Sequence, residues 1–437
     1  MAEFPLWHEG YLSAKKDRIV SNSRLSRAAI EAGLDSFIIT KKFSGQKWRP
    51  VYIEDLLGVS LDNKRDMSSK VLADVVEALI GAAMVNSGIP NALKCLQIFL
   101  PEQEWQPLET RRNFLFERAP DMDLPATLQP LEDLIGYTFK KKALLIEAMT
   151  HASYKSGSQS LERLEFLGDA VLDYVVVNAM FQEAELSHVE MHHLRTSLVN
   201  ADYLAFVCME WSIDQPTINL EPDASDLDDK GFPKFKERVD KVPMPLWRFL
   251  RHGSPRLGAE QQVTAARHAA LRDSIMEAFE TGSHYPWALL ARLKAQKFFS
   301  DMVESLLGAI WIDSGSFETC ATVVERMGIL PYFRRILKDK VETLHPKEEL
   351  GMLADSEAVK YVISSRIGDL EEGREYLCTV FVGEAQIVEV DGGVSSEEVK
   401  TKAAELAVKT LKARRNSNDA KMSMENEETA VDVEMKD

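Results

Sequence analysis

Cysteine is scarce in this sequence, and the few cysteines present are not paired. Cys95, Cys208, Cys320 and Cys378 lie far apart, and no two of them form a Cys-x-x-Cys motif. Disulfide frameworks and cysteine-based zinc sites need thiols at close, regular spacings. The sequence therefore predicts free thiols in a reducing compartment. We expect a protein of the cytoplasm or the nucleus and not a secreted one.

Basic residues are also in deficit. The 52 lysines and arginines are outnumbered by 69 aspartates and glutamates, which gives a formal net charge of −17. This balance argues against a uniformly basic nucleic-acid binder. We see no signal-peptide segment and no apolar run long enough to cross a membrane, so we expect no membrane partner.

The acidic residues are concentrated, and the most informative group interrupts an apolar stretch, 161-LERLEFLGDAVLDYVVVNAM-180. On a helix, Glu162, Glu165, Asp169 and Asp173 form one narrow stripe, while leucines and valines cover much of the remaining circumference. Like charges on a partly dry face are costly unless a cation or a hydrogen-bond donor compensates them. An ordinary solvated face is the alternative, but the helix is unusually apolar for that. The stripe therefore predicts a bound cation.

The sequence contains an internal repeat. The segment 70-KVLADVVEALIGAAMVNSG-88 matches 297-KFFSDMVESLLGAIWIDSG-315 almost position for position, and a second pair of similar segments lies upstream, at 20–34 and 198–213. Such a match predicts two copies of one helical module. The first copy reaches its upstream element by residue 22, which leaves no room for an acidic helix like 161–180. We therefore expect the first copy to be partial.

The repeat also carries acidic residues. Asp301 and Glu304 share one helix face, and Lys297 lies one turn earlier; together with Glu165 and Asp169 they predict four carboxylates converging from two helices. Oxygen ligands of this kind suit Mg²⁺, with Mn²⁺ as a substitute, and such a site suits phosphoryl transfer. Lys297 would restrain the cluster or meet a phosphate. The first copy repeats three of these positions, which favours a site over ordinary helix surface: Lys70, Asp74 and Glu77.

The pattern along the chain predicts a mainly α fold with five parts. These are a partial first module at 1–100, a proline-punctuated linker at 101–128, a second module at 129–338, a small α+β domain at 340–413 and a disordered acidic tail at 414–437. The second module is interrupted at about 214–290 by polar, irregular sequence that regains helical periodicity at 262–280. The basic and aromatic segment 246-LWRFLRHGSPR-256 either contacts RNA or forms plain surface.

The small domain shows alternation instead of helical periodicity. Three strands are predicted at 361–366, 376–382 and 386–390, and a helix follows at 396–415. A helix, three strands and a closing helix form an α+β domain. The tail beyond it is acidic and lacks aromatic residues, which predicts disorder.

These motifs resemble the ribonuclease III family. LERLEFLGDAVL is similar to the signature helix of that family, D-x-x-E-[AS]-L-[IL]-G-A to its second acidic motif, and 150-THASY-154 and LRTSLVN to further motifs. Two modules followed by an α+β domain resemble the C-terminal end of a Dicer-like protein of the filamentous-fungal type. The resemblance implies an all-α endonuclease fold that dimerises, with each module cutting one strand of double-stranded RNA in small-RNA production.

The resemblance also implies residue roles. The metal ligands would be Glu165, Asp169, Asp301 and Glu304, with Glu162 as an auxiliary acid and Lys297 in the active site. The matching residues of the first module would form only a half site. The implied pairing is either between the two modules of one chain or between second modules of two chains.

The C-terminal domain resembles a double-stranded-RNA-binding domain, with a departure at its last helix. That helix begins Ser396-Glu397-Glu398, where the family pattern has lysines, and only Lys400 and Lys402 remain nearby. The loop 369–375 is acidic as well. Because acidic side chains repel phosphates, we predict that the fold is retained and that the RNA affinity is weak.

Two other interpretations remain open. The chain could be a catalytically impaired scaffold or RNA-binding protein that keeps the ribonuclease III fold. It could also be an unrelated helical di-metal protein, but such sites usually use Glu-x-x-His on facing helices, and this pattern is missing. The four acids retained in the second module favour the nuclease.

Overall fold

The computed structural model describes residues 1–4, 7, 9–38, 67–155, 159–183, 185–227, 233–355, 357–367 and 374–434. It divides the chain into two compact units, Met1–Asp121 and Met122–Asp437. The expected fold class, mainly α with a small α+β domain, is confirmed. The acidic loop at 369–375 lies largely outside the described residues.

The first unit is helical. Its helices are α1 (Glu9–Val20), α2 (Asn22–Glu31), α3 (Ser69–Phe99) and α4 (Leu108–Arg118). The core forms where α2 packs on α3, with Leu25 and Ala29 against Leu72 and Val76. Helical geometry in α3 breaks at Ser87 and at Gly88, whose φ of 73° favours glycine. Helix α4 lies inside the segment predicted as a linker, 101–128.

Helix α3 corrects one expectation from the sequence. By length and composition alone, α3 is long and apolar enough to cross a membrane. It is the one helix among the described residues that meets these two criteria. The apolar run continues beyond the repeat at 70–88 through residues such as Ile89 and Ala92, which we did not anticipate. The helical break at Gly88 and the proline inside the helix, Pro90, interrupt this run.

The second unit begins with the larger helical module. Its helices are α5 (Gln129–Ile135), α6 (Lys142–Ala148), α7 (Glu162–Glu183), α8 (His188–Val199), α9 (Ala201–Glu210), α10 (Pro255–Thr281), α11 (Trp287–Arg292), α12 (Phe298–Ser314), α13 (Phe317–Arg326) and α14 (Ile329–Asp339). Helix α12 forms the centre of the core, because its residues from Phe298 to Asp313 are buried except for Asp301 and Glu304, which are half-buried.

Helices α7 and α12 touch through their backbones. A Cβ atom on Gly168 would overlap the main-chain oxygen of Glu304, and one on Gly308 would overlap the main-chain oxygen of Leu164. Only glycine fits at such a close approach. This crossing sets the acidic face of α7 directly against that of α12.

The insertion at about 214–290, whose sequence is polar and irregular, contains two strands before its helix. Strands β1 (Ser212–Leu227) and β2 (Pro233–Pro245) pair antiparallel as a hairpin, with Ile218 opposite Val239. One face carries Arg238 and Glu221, which form an ion pair at 2.9 Å. The other face carries four apolar residues that are more than 60% exposed: Ile218, Leu220, Phe235 and Val239.

The basic and aromatic segment after the hairpin is also ordered. Residues Leu246–Phe249 form a 3₁₀ helix, and Trp247 and Phe249 are buried. Trp247 packs edge-on against Phe299 of the core. The side chains of Trp247 and Phe249 therefore belong to the core and are not available to contact RNA. Helix α10 begins at Pro255, earlier than the predicted 262.

The C-terminal domain has the predicted α+β order: α15 (Pro346–Leu353), β3 (Val359–Arg366), β4 (Glu375–Val382), β5 (Ala385–Gly393) and α16 (Ser396–Glu434). The sheet is antiparallel in the order β3-β4-β5, and α16 packs on it. The prediction of a disordered tail at 414–437 is wrong for most of that segment, because α16 continues to Glu434. It contains neither glycine nor proline, and it is rich in strong helix formers such as alanine, lysine and glutamate.

Candidate active site

Three of the predicted carboxylates converge where α7 crosses α12. Oxygen atoms of Glu165, Asp301 and Glu304 lie within 4.8 Å of one another. Glu165 is buried, and the two α12 residues are half-buried. Asp301 and Glu304 lie three residues apart, so they share a helix face. The set offers carboxylate oxygens alone, which fits a hard divalent cation such as Mg²⁺ or Mn²⁺.

Lys297 closes one side of this group. Its Nζ donates hydrogen bonds to Glu165 Oε1 at 2.8 Å and to Asp301 Oδ1 at 2.7 Å. Burial acts to lower the pKa of Lys297, but the hydrogen bonds from Lys297 to Asp301 and Glu165 outweigh it and raise that pKa. The ammonium therefore stays charged and offsets part of the negative charge of the cluster.

The pKa of Glu304 shows that the negative charge of the cluster exceeds the positive charge that Lys297 supplies. Burial, together with the charges of Asp169, Glu165 and Asp301, raises the pKa of Glu304 from 4.5 to about 9. Lys297 opposes this rise. All the acids of the cluster can therefore be ionised together at neutral pH only when further positive charge is present.

The remaining acids of the α7 stripe have different surroundings. Asp169 is half-buried and close enough to raise the pKa of Glu304, although it is not among the three residues grouped within 4.8 Å. Glu162 accepts a hydrogen bond from Ser160 Oγ at 3.4 Å and faces His151, whose pKa it raises against the stronger lowering effect of burial. Asp173 accepts two hydrogen bonds from Arg195, at 2.9 and 2.6 Å. The stripe therefore contains an acid of the cluster, Glu165, and an acid that is paired with an arginine, Asp173.

Two protein-family models match parts of this chain. The ribonuclease III domain model matches residues 1–88 and 162–315, which hold the two copies of the repeat. The chain belongs to the ribonuclease III family. A second model, the double-stranded-RNA-binding domain of Dicer-like protein 2, matches residues 339–437.

The relatives include Dicer-like proteins of filamentous fungi, as the sequence motifs predicted. The chain is 47% identical over 422 residues to Dicer-like protein 2 of Cryphonectria parasitica, covering 93% of this chain and 29% of the relative. It is 45% identical over 417 residues to Dicer-like protein 2 of Pyricularia oryzae, covering 91% and 28%. The chain therefore spans less than a third of the length of these relatives. The nuclease domain of ribonuclease III from Campylobacter jejuni has 26% identity and a TM-score of 0.28, covering 47% of this chain and 99% of that one.

The first copy of the ribonuclease III repeat has a different environment around its acids. Lys70 Nζ lies 3.2 Å from Asp74, and both Asp74 and Glu77 are exposed on α3. Gly81, the counterpart of Gly308, has no atom within 4 Å of a Cβ built on it. In the described part of the first unit, no further potential ligand joins Asp74 and Glu77 in a group of three.

Two buried carboxylates that support the site were not anticipated from the sequence. Asp313, at the far end of α12, accepts hydrogen bonds from Tyr137 Oη at 2.6 Å and from the main-chain N–H groups of Lys140 and Lys141 at 2.8 Å. Glu147 accepts two hydrogen bonds from Arg163, which lies between the acids of the signature helix. The arginine inside LERLEF is the sequence signal for this pair, because an arginine on an apolar helix needs a buried acid.

The predicted RNA-contacting end of α16 is engaged within the protein. Glu398 is 2% exposed, accepts a hydrogen bond from Arg292 Nη1 at 2.9 Å and also accepts one from the N–H of Val394 at 2.7 Å. Arg292 belongs to α11, so this ion pair joins the C-terminal domain to the nuclease module. Lys400 is half-buried, and Lys402 is exposed.

Proposed function

We propose that the chain is an endoribonuclease that hydrolyses phosphodiester bonds of double-stranded RNA in a Mg²⁺-dependent reaction, as part of small-RNA production. One observation carries this proposal: the oxygens of Glu165, Asp301 and Glu304 converge within 4.8 Å on two packed helices. The family supports the reaction class, and the Dicer-like protein 2 domain supports double-stranded RNA as the substrate.

The donor set fits the proposed cation. Glu165, Asp301 and Glu304 would hold it, with Asp169 beside them, and Mn²⁺ would substitute for Mg²⁺. When bound there, a divalent cation supplies the positive charge that activates water and stabilises the leaving oxygen of a phosphodiester.

The side chains around the cluster have separate tasks. Lys297 holds the carboxylates of Glu165 and Asp301 in place, and its side chain is 69% exposed, so its ammonium can also reach a phosphate oxygen. Glu304 keeps a proton at neutral pH until positive charge enters the cluster, so cation binding and loss of this proton are coupled. Glu162 lies three residues before Glu165, in the first turn of α7, where it would act as an auxiliary acid.

We expect residues other than those at the start of α16 to provide most of the affinity for RNA. Two acids occupy that helix start, and Glu398 pairs with Arg292 while Glu397 pairs with Lys347. Lys400 and Lys402 alone offer little positive charge there, and the adjacent acids repel phosphate.

A cleavage assay on long double-stranded RNA tests the proposal. Wild-type protein should cut with Mg²⁺ and with Mn²⁺, and Glu304→Gln should abolish cutting while leaving the fold and the RNA affinity nearly unchanged. Glu318→Gln is the matched control, because it removes the same charge from an exposed position on α13. It should cut like the wild type.

The products distinguish the remaining alternatives. Staggered cuts in both strands would show two second-module sites acting together in a homodimer or a completed site in the first module, whereas nicks in one strand would show a single site. Folded protein that binds double-stranded RNA and leaves it uncut with either metal ion would contradict the nuclease proposal and favour the scaffold interpretation.

A further inference from the structure

The side chain of Arg251 is held by an aromatic ring and a hydroxyl group. Several other arginines of the second unit pair with carboxylates, including Arg163 with Glu147, Arg195 with Asp173 and Arg272 with Glu210. Among the described residues, Arg251 has no carboxylate partner. Its guanidinium lies over the ring of Tyr154, 4.3 Å from the centroid, and Nη1 donates to Thr150 Oγ1 at 3.3 Å.

The backbone around Arg251 is fixed against the THASY motif. The N–H of Arg251 donates to Met149 O at 2.8 Å, and the N–H of His151 donates to Arg251 O at 2.9 Å. Two residues later, a Cβ atom on Gly253 would lie 2.7 Å from Ser153 O, so only glycine allows this approach without a shift. The segment that follows the hairpin is therefore part of the same surface as residues 149–154.

Hydrogen bonds connect this surface to α12 and to the residue just before α7. Ser305, next to Glu304 on α12, donates its hydroxyl to Ala148 O at 3.0 Å, immediately before the motif. Leu161, just before α7, donates its N–H to Thr150 O at 2.9 Å. The motif is thus tied to both acidic helices, within a few residues of Glu304 and Glu165.

A second cation lies on the same ring. Lys155 Nζ is 5.3 Å from the centroid of Tyr154, and the Lys155 side chain is exposed. We name Tyr154, Lys155 and Arg251 the cationic rim. In a chain of net charge −17, Lys155 and Arg251 place two positive charges on one aromatic ring. A planar guanidinium held on an aromatic face keeps its donors pre-organised for phosphate oxygens.

We infer that the cationic rim binds a backbone phosphate of double-stranded RNA next to the bond that is cut. The inference rests on the proposed function and assigns a substrate contact to the segment 246–256, which follows the hairpin. Phosphate contacts of this kind position a nucleic acid without reading its sequence. They also make binding depend on salt, because each neutralised phosphate releases counterions.

The test measures binding and cleavage separately in the full chain. Binding of a 30-base-pair RNA is followed by fluorescence anisotropy with Ca²⁺ in place of Mg²⁺, across a salt series, and single-turnover cleavage is followed with Mg²⁺. Arg251→Gln should weaken binding about tenfold and reduce the slope of log affinity against log salt by about one. Arg251→Lys should keep the slope, because it keeps the charge. In single-turnover cleavage, Arg251→Gln should need a higher RNA concentration than the wild type to reach its half-maximal rate.

Two further variants complete the design. Lys338→Gln removes a charge from an exposed position on α14 and should leave the affinity and the slope unchanged. Lys155→Gln changes an exposed side chain of the rim and should also reduce the slope. If Arg251→Gln fails to fold, as judged by circular dichroism, Lys155→Gln decides the question alone.

The outcomes separate the two proposals. Wild-type binding and cutting of double-stranded RNA, together with an unchanged affinity and salt slope in Arg251→Gln and Lys155→Gln, would overturn the rim and leave the proposed function standing. Wild-type protein that neither binds nor cuts double-stranded RNA would overturn both.

Discussion

Gly168 of α7 is in close contact with the main-chain oxygen of Glu304 of α12. A Cβ atom at residue 168 would overlap that oxygen, so the two helices approach more closely than any other residue at this position would permit. Glu165 lies one turn before Gly168 on the same helix. The short separation of the two backbones therefore brings the carboxylate of Glu165 within reach of those of Asp301 and Glu304.

Gly168→Ala tests this relationship. The added methyl group should push α7 from α12, lower the free energy of unfolding by about 2 kcal/mol or more and weaken Mg²⁺ binding. Urea unfolding and a Mg²⁺ titration followed by thermal stability would measure the two effects. Gly81→Ala is the matched control, because Gly81 is the first-copy counterpart of Gly308 and has open space around it. It should stabilise the chain by about 0.5–1 kcal/mol. Equal effects of the two changes would contradict this account.

Glu304→Gln should stabilise the metal-free protein at alkaline pH. The pKa of Glu304 rises from 4.5 to about 9 on folding, mainly through burial. The folded state therefore binds a proton that the unfolded state releases, and stability falls as the pH rises from about 4.5 towards 9. Glutamine carries no charge and avoids this loss. In the presence of a chelator, the melting temperature of Glu304→Gln should exceed that of the wild type at pH 8 and match it near pH 4. A lower melting temperature at pH 8 would contradict the assignment of Glu304 as a crowded acid.

Lys297→Met should bind Mg²⁺ more tightly and cut more slowly than the wild type. The ammonium of Lys297 donates hydrogen bonds to carboxylate oxygens of Glu165 and Asp301, so its removal frees both carboxylates and takes away a positive charge that repels the cation. Cleavage should slow because the ammonium no longer orients the cluster or reaches a phosphate. Isothermal titration with Mg²⁺ and single-turnover kinetics would measure the two changes. Weaker Mg²⁺ binding would show that orientation of the carboxylates outweighs repulsion of the cation.

Arg292→Met should destabilise the second unit, because it leaves Glu398 buried without its ionic partner. We expect a loss of about 1–3 kcal/mol, reduced from the value for a fully buried pair because Arg292 is partly exposed. Adding Glu398→Gln should recover part of the loss, since the buried charge is then removed. Urea unfolding of the single and double variants measures this coupling. Independent, additive losses would show that the pair does not act as a unit.

The sequence could predict the composition of the cluster because the repeat marks it. Asp301, Glu304 and Lys297 recur at the same spacings in the first copy, and the ligand chemistry follows from residue type. The sequence could not show that Asp173, on the same stripe, pairs with Arg195, because that contact depends on how α8 packs beside α7. Contacts with neighbouring helices decide which acids of the stripe join the cluster and which form ion pairs. Helical periodicity alone does not show these contacts.

The hairpin at 212–245 was missed for a different reason. Its alternation of apolar and polar residues is interrupted by prolines such as Pro216 and Pro222, which usually argue against strands. In a two-stranded hairpin both strands are edges, so a proline can stand where no partner needs its N–H. The helical tail was missed because composition alone predicts disorder, whereas the local helix propensities of 414–434 continue an existing helix.

The hydrogen bonds of Lys297 affect how the protein should behave when a metal ion is removed and added back. In zinc fingers and similar small domains the metal ion drives folding, so removing it unfolds the protein. Here an ammonium group already bridges two of the three carboxylates, and the helices that carry them are held by an extensive apolar core. The chain should therefore survive dialysis against a chelator as a folded protein and regain its cation reversibly, without a refolding step.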